Sequence, residues 1–171
     1  LAPECVVDHE ELTLSVDANS DCVICLITVL GHQPCIQLNC KHIFHVVCLI
    51  NKVEMKWAGP RVTFGFRTCP SCKTPIDEVN HQKLNRLLQE AKELELKVRA
   101  KARERGQAEG LDKDERLKNP SDDYFENFEE YAMDRLAFYQ CYKCTNPFFG
   151  GLKECGDNLE ENGNFDKKEL I

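Results

Sequence analysis

The chain has 171 residues, and 11 of them are cysteines, a large share for a protein of this length. Its formal net charge of -7 argues against nucleic-acid binding, which usually needs a basic surface, and no apolar run approaches the ~20 residues of a membrane span. Because 30% of the residues are charged, we expect no large aliphatic core, and the fold should depend on disulfides or bound metal.

In chain order, the composition divides the sequence into four regions. Residues 1–20 are an acidic lead-in, 21–77 a module rich in cysteine and histidine, 78–118 a helical and charged link, and 119–171 a second cysteine-containing module. The fold class expected from this pattern is a small, zinc-stabilised α+β protein. Cys5 in the lead-in has no assigned role, and Cys35 is interpreted as a small core residue.

The spacing of cysteine and histidine favours metal over disulfides, which an odd cysteine count fits poorly. Three cysteine pairs have a two-residue gap, which lets two thiolates bind one tetrahedral metal from a tight turn. Cys40 and His42 are two residues apart, as on one face of a strand. His45 and Cys48 are three apart, as at the start of a helix. The three two-gap pairs are Cys22 and Cys25, Cys69 and Cys72, and Cys141 and Cys144.

The order of the first four pairs resembles that of RING-H2 domains. The alternative, buried thiols with surface histidines, gives no reason for this order. In the RING family the pairs interleave, and the resemblance implies a cross-brace fold in which loss of either metal unfolds the unit. Cys22, Cys25, His45 and Cys48 would hold one Zn²⁺, and Cys40, His42, Cys69 and Cys72 would hold the other.

The RING resemblance also implies a partner, the ubiquitin-conjugating enzyme (E2), which docks on an apolar surface in that family. The matching positions are Ile24 in the first metal loop and Pro70 in the second. Trp57, at the end of a helix predicted over residues 46–57, is a third candidate, although it could simply pack against nearby phenylalanines. Lys73 follows the last ligand, where many RINGs that act directly on lysine have an arginine. Lysine cannot make the planar forked contact of that arginine.

Three further elements are predicted after the helix. Val62, Phe64 and Phe66 alternate, which predicts a strand with one buried face. Apolar residues at gaps of three and four predict a helix over about residues 78–105, either a spacer that packs on the neighbouring modules or a homodimer seam. Ser121 is predicted to cap another helix. The apolar face of the long helix would consist of Leu84, Leu87, Ala91, Leu94 and Val98, and that of the last helix of Phe125, Phe128, Ala132, Leu136 and Phe138 or Tyr139.

The C-terminal module contains Cys141, Cys144 and Cys155, one ligand too few for a tetrahedral site. From spacing alone, Cys155 would be the third ligand of an incomplete zinc site. However, the motif order, with Gly-Pro-Arg-Val-Thr-Phe-Gly-Phe at 59–66 and Phe-Gly-Gly at 149–151, resembles the Pam/Highwire family of RING-Cys-relay ubiquitin ligases over residues 21–171. This resemblance changes the interpretation of Cys155.

The family resemblance implies a relay mechanism. E2 bound to the RING would pass ubiquitin to Cys155, a second cysteine would take it, and a threonine hydroxyl of a protein substrate would receive it as an ester. Glu169 matches a carboxylate near the esterification site. The second cysteine and further zinc ligands are expected beyond Ile171, so this fragment should be incomplete for esterification. The alternatives are an ordinary RING ligase with a structural zinc knuckle and a non-catalytic RING scaffold. Zinc–thiolate chemistry implies a reducing, intracellular location, the cytoplasm or the nucleus.

Overall fold

A computed structural model describes residues 19–150 of the chain. In that range two antiparallel hairpins and three α-helices form a small α+β fold with a long helix, as the sequence predicts. We call residues 19–79 the N-terminal module and residues 111–150 the C-terminal module. The elements are β1 (Cys35–Gln37), β2 (Ile43–His45), α1 (Val46–Glu54), α2 (Gln82–Ala108), α3 (Phe128–Arg135), β3 (Phe138–Gln140) and β4 (Pro147–Phe149), with 3-10 turns at Leu30–His32, Gly65–Arg67, Leu111–Lys113 and Glu115–Leu117.

The N-terminal module is built on the β1–β2 hairpin, which runs directly into α1. Cys35 lies opposite His45 in this hairpin, and Phe44 is fully buried beneath it. Helix α1 buries one face in the same core and ends at Glu54. The predicted helix over residues 46–57 is therefore too long by three residues. Lys56 has a left-handed φ of 55°, a conformation that ends a helix.

Helix α2 joins the two modules and packs on both. Its first half lies against the core of the N-terminal module, and its second half lies against α3 and β4. This packing is what the spacer interpretation expects, and the buried positions of the apolar face considered for homodimerisation are covered within the chain. His81 caps the helix by accepting the Leu84 amide (3.2 Å), so α2 starts later than residue 78. The predicted Leu87 is half-buried and packs against the N-terminal core. The buried positions are Leu84, Leu88, Ala91, Leu94, Val98, Ala102 and Gly106.

The connecting loop, residues 57–68, replaces the strand predicted around Phe64. Val62 and Phe66 are buried as the alternation requires, but Phe66 lies in a 3-10 turn. Arg61 makes an isolated β-bridge with Tyr139 of the C-terminal module, and Thr68, at the end of the loop, makes another with Pro75. The alternation of burial was correct, and the strand was wrong, because the loop turns at Gly65 before a second strand residue can pair.

The C-terminal module consists of α3 and the β3–β4 hairpin. The Asn127 side chain caps α3 by accepting the Glu130 amide (3.3 Å), so the predicted cap at Ser121 is wrong. The predicted helix also ends earlier, because Phe138 is in β3, opposite Phe149 of β4. Within residues 19–150, no helix combines the length and apolar character that crossing a membrane requires.

Candidate metal centres

The first candidate centre brings together Cys22, Cys25, His45 and Cys48, whose ligand atoms all lie within 4.8 Å of one another. The His45 Nδ1 atom lies 3.7 Å from Cys25 Sγ and 3.6 Å from Cys48 Sγ. A tetrahedral zinc with ordinary bond lengths would separate a sulfur and a nitrogen ligand by about 3.6 Å. The spacing of these atoms therefore fits a metal ion of that size.

His45 is oriented for this centre by a backbone contact. Its ring is fully buried, and Nε2 lies 3.1 Å from the carbonyl oxygen of Val29. With Nε2 donating to that oxygen, the lone pair of Nδ1 faces the thiols. Metal-bound histidines are commonly held by such a second hydrogen bond, which selects the tautomer.

The second candidate centre brings together Cys40, His42, Cys69 and Cys72, again within 4.8 Å of one another. Cys40 and His42 lie in the turn between β1 and β2, not on a strand, and their Sγ and Nδ1 atoms are 3.4 Å apart. Lys41, between them, has a left-handed φ of 69°, which turns both side chains to one side. The expected pair geometry is present, but it comes from a turn.

The β1–β2 hairpin explains why the ligand pairs interleave. Its turn carries Cys40 and His42, whereas its last residue, His45, belongs to the other centre. One short hairpin thus contributes ligands to both centres, which lie at its opposite ends. Because the hairpin can form only one register with both ends in place, each centre supports the other.

The electrostatics of the thiols favour a bound cation. In the first centre, the backbone amides of Ile27 and Thr28 lower the pKa of the Cys25 thiol to about 5. Burial, followed by the nearby cysteines, raises the pKa of Cys48 to about 12. In the second centre, the Thr74 hydroxyl and amide lower the pKa of Cys72 to about 6. In the first centre the thiol of Cys25 thus ionises readily and that of Cys48 resists ionisation, and a divalent metal would remove that resistance.

The third cysteine pair, Cys141 and Cys144, has the same backbone conformation as the two-gap pairs of the candidate centres. In each of the three knuckles the residue after the second cysteine has a left-handed φ, and its amide donates to the carbonyl of the first cysteine. The three amide donors are Leu26 (φ 53°, 2.8 Å), Lys73 (φ 63°, 3.0 Å) and Thr145 (φ 58°, 2.9 Å). In each knuckle, the backbone amide of the first cysteine also donates to the carbonyl oxygen of a residue beyond the turn, which is Thr28, Thr74 or Asn146. The pair is therefore arranged as a metal knuckle, although within residues 19–150 no further cysteine or histidine joins it.

The first knuckle carries an exposed apolar surface that sequence reasoning found only in part. Ile24 and Pro70 are half-buried, and Ile24 packs against the core. The more exposed side chains beside Ile24 are Leu26 (72%) and Ile27 (83%). Both follow Cys25, outside the two-residue gap to which the prediction was confined. An apolar residue left exposed beside a ligand is the signal that could have identified them.

Trp57 is mainly a packing residue in the described chain. It is half-buried, contacts the hydrophobic clusters of both modules, and lies 6.1 Å from the Phe66 ring. The other two predicted functional residues, Cys155 and Glu169, lie outside the described residues, as does Cys5.

Comparison with known proteins identifies the family. No family model matches the chain. The E3 ubiquitin-protein ligase MYCBP2 of Danio rerio is 40% identical over 164 residues, covering 96% of this chain and 4% of that protein. The E3 ubiquitin-protein ligase highwire of Drosophila melanogaster is 38% identical over 158 residues, covering 92% of this chain and 3% of that protein.

A shorter plant protein matches as well. Brassinosteroid-responsive RING protein 1 of Arabidopsis thaliana is 37% identical over 86 residues, 48% of this chain and 45% of that protein. The chain thus spans only a few per cent of the length of the two animal relatives, yet it matches them along more than nine-tenths of its own length. Together with the two interleaved cysteine–histidine centres, this similarity shows that the chain belongs to the Pam/Highwire family of E3 ubiquitin-protein ligases.

Proposed function

We propose that this chain is the part of an E3 ubiquitin ligase that recruits ubiquitin-charged E2 and accepts its ubiquitin. The observation that carries the proposal is the pair of interleaved centres, which hold an exposed apolar surface, Leu26 and Ile27, in a fixed position. The names of the relatives support ubiquitin transfer as the activity.

Zinc is the proposed metal for both centres. Three thiolates and one imidazole in a closed tetrahedral arrangement are typical of structural Zn²⁺ sites. Cys141 and Cys144 are proposed as half of a third site, because their knuckle has the same backbone hydrogen bonds as the other two. Zinc would supply structural cross-links here, and the chain's own side chains would do the binding and the chemistry.

The proposed docking surface for E2 consists of Ile24, Ile27 and Pro70, with Leu26 beside them. Exposed apolar residues on rigid turns lose little entropy on binding, and they suit an apolar partner surface. Trp57 contributes to this role by supporting the loop behind the surface, since it is held between the two hydrophobic clusters.

After docking, the proposed step is transthiolation. The Cys155 thiolate would attack the carbonyl carbon of the E2–ubiquitin thioester, forming a new thioester and releasing the E2 thiol. A second cysteine, and then a substrate hydroxyl, would follow in the complete protein, with Glu169 assisting at the ester-forming step. Lys73 supports a relay over direct transfer, because its ammonium group donates to the Pro70 carbonyl of its own knuckle (3.0 Å) and is a point charge.

The proposed partners are a charged E2 and a protein substrate. A reducing, intracellular compartment, the cytoplasm or the nucleus, is the proposed location, because both the thioester and the zinc thiolates need reduced cysteines.

The test uses the zinc-loaded chain with ubiquitin-charged E2. The expected product is a ubiquitin adduct on the chain that a reducing thiol removes, absent in Cys155→Ser and strongly reduced in Ile27→Ala and Ile24→Ala. Leu96→Ala is the matched control, since Leu96 is also an exposed apolar residue (60%) but lies on α2. Free ubiquitin chains without an adduct would favour an ordinary RING ligase. No acceleration of E2 discharge at all would reduce the chain to a scaffold.

A further inference from the structure

The connecting loop, residues 57–68, is held at both ends by cationic side chains that bind backbone carbonyls. At its end, the Lys52 ammonium of α1 donates to the carbonyls of Phe66 (2.6 Å) and Thr68 (3.0 Å). Near its start, Arg61 reaches into the other module. Within the described part of the N-terminal module, this loop is the segment whose backbone hydrogen-bonds to the C-terminal module.

Arg61 binds the end of α3. Its Nη2 atom donates to the carbonyl oxygens of Met133 (3.0 Å) and Asp134 (3.0 Å) and lies 3.4 Å from that of Leu136. These carbonyls are among the last of α3, which have no partner inside the helix, and a positive charge there complements the helix dipole. One guanidinium group thus caps a helix more than seventy residues further along the chain.

Backbone pairing places Arg61 for this contact. The amide of Val62 donates to the Phe138 carbonyl at 2.8 Å, and together with the Arg61–Tyr139 bridge this bond pairs the loop locally with β3. Val62 itself is buried with Phe138 in the same cluster. The loop and the C-terminal hairpin are therefore joined in register, not merely adjacent.

A set of ion pairs along α2 runs between the same two modules. Glu95 pairs with Arg67 of the loop and with Arg99 (2.9 Å), and Arg99 pairs with Glu130 of α3 (2.7 Å). These side chains are between one-tenth and one-half exposed. A groove of about 470 Å³ lies among them. At this junction directed polar contacts therefore act beside the apolar packing of Val62 and Phe138.

We infer that Arg61 is a positioning residue, which fixes the C-terminal module, and with it the start of the segment that carries Cys155, relative to the E2-docking surface. The inference rests on the proposed function. Transfer between two thiols requires the thiolate to be presented at a defined place, and a misplacement of about 1 Å can cost a factor of up to 10² in rate. A residue that acts only on geometry should change transfer to the chain without changing how the RING activates E2.

The experiment compares Arg61→Ala with Arg86→Ala in the metal-loaded chain. Arg86 is the matched control because its side chain is 82% exposed and, among the described residues, forms its ion pair with Glu90 of the same helix. Single-turnover formation of the thiol-sensitive adduct should fall on the order of tenfold in Arg61→Ala. Discharge of E2 to free hydroxylamine and metal content should stay at wild-type values, and Arg86→Ala should match the wild type throughout.

A second measurement does not depend on activity. In Arg61→Ala the Val62 amide should exchange its hydrogen on the order of tenfold faster than in the wild type, because its partner strand is released, while the α1 amides keep their rates. An unchanged adduct rate, a parallel loss of hydroxylamine discharge, or an unchanged Val62 exchange rate would each overturn the positioning role. If the wild-type chain forms no adduct, the proposed function fails, and the exchange measurement alone decides whether Arg61 joins the modules.

Discussion

Replacing Lys52 with methionine tests how the second metal centre is supported. The Lys52 ammonium donates to the carbonyls of Phe66 and Thr68 and lies 3.4 Å from that of Gly65. Thr68 directly precedes Cys69, a fully buried residue of the second candidate centre. Methionine keeps the length and apolar stem of the side chain but removes every donor.

The magnitude follows from the carbonyls left behind. An unsatisfied, partly buried acceptor costs about 1–3 kcal/mol, and two strong contacts are lost. The Lys52 side chain is half-buried, and burial lowers its pKa. Part of the stabilisation from its hydrogen bonds therefore offsets the cost of removing the ammonium group from water. We expect Lys52→Met to lower the free energy of unfolding by about 2 kcal/mol.

Urea unfolding of the metal-loaded protein, at fixed free zinc, measures this change, and the slope with denaturant should stay constant. A chelator should remove one of the two metals faster than in the wild type, because only the second centre loses its support. Lys83→Met is the control, since Lys83 makes a surface ion pair with Glu54 and should change stability by less than about 1 kcal/mol. A loss below about 0.5 kcal/mol in Lys52→Met, or equal acceleration of both metals, would refute the reasoning.

Three further outcomes are expected. In the wild type, the Thr74 hydroxyl lies 3.2 Å from Cys72 Sγ and lowers the pKa of that thiol. A lowered pKa keeps the thiolate ionised as the pH falls. Thr74→Val removes the hydroxyl, so the variant should release metal at a higher pH than the wild type. If the zinc affinity falls tenfold and three thiols take up protons when the metal leaves, the midpoint of metal release shifts by about a third of a pH unit, which a zinc-binding dye can measure. Gly106→Ala should destabilise by about 1 kcal/mol, despite the better helix propensity of alanine, because the new Cβ would lie 3.1 Å from the buried Ala132 Cβ. Increased stability in calorimetry would show that α3 can move away. Full chelation should unfold both centres in one step by circular dichroism, and two separated steps would contradict their shared hairpin.

The ligand pattern was predictable because each pair is a local geometry. Knuckles and helix starts depend on two to five consecutive residues, so Cys22 and Cys25 or His45 and Cys48 carry their own signal. The sharing of one hairpin by two centres is not local. The interleaving of the ligand pairs was predicted from the family resemblance. The hairpin register, with Cys35 opposite His45, gives the physical reason for it.

The connecting loop and the last helix were mispredicted for tertiary reasons. Val62 and Phe66 alternate in burial, yet the first pairs with the C-terminal module and the second turns into the N-terminal core. Ser121 is a good capping residue, but Asn127 performs that role, after a turn in which the Asp122 carboxylate pairs with Arg116. Such choices depend on partners far along the chain, which periodicity does not reveal.

The long sequence separation between Arg61 and its acceptors bears on the order of folding. Among residues 19–150, the core of the N-terminal module is built from residues up to Ala91, so it can close while later residues are still being synthesised. The backbone amide of Val62 has no acceptor until Phe138 of β3 exists. A ribosome-bound chain therefore passes through a stage in which Trp57, Val62 and Phe64 lack the neighbours that the C-terminal module supplies, so that their apolar surface is more exposed than in the finished fold.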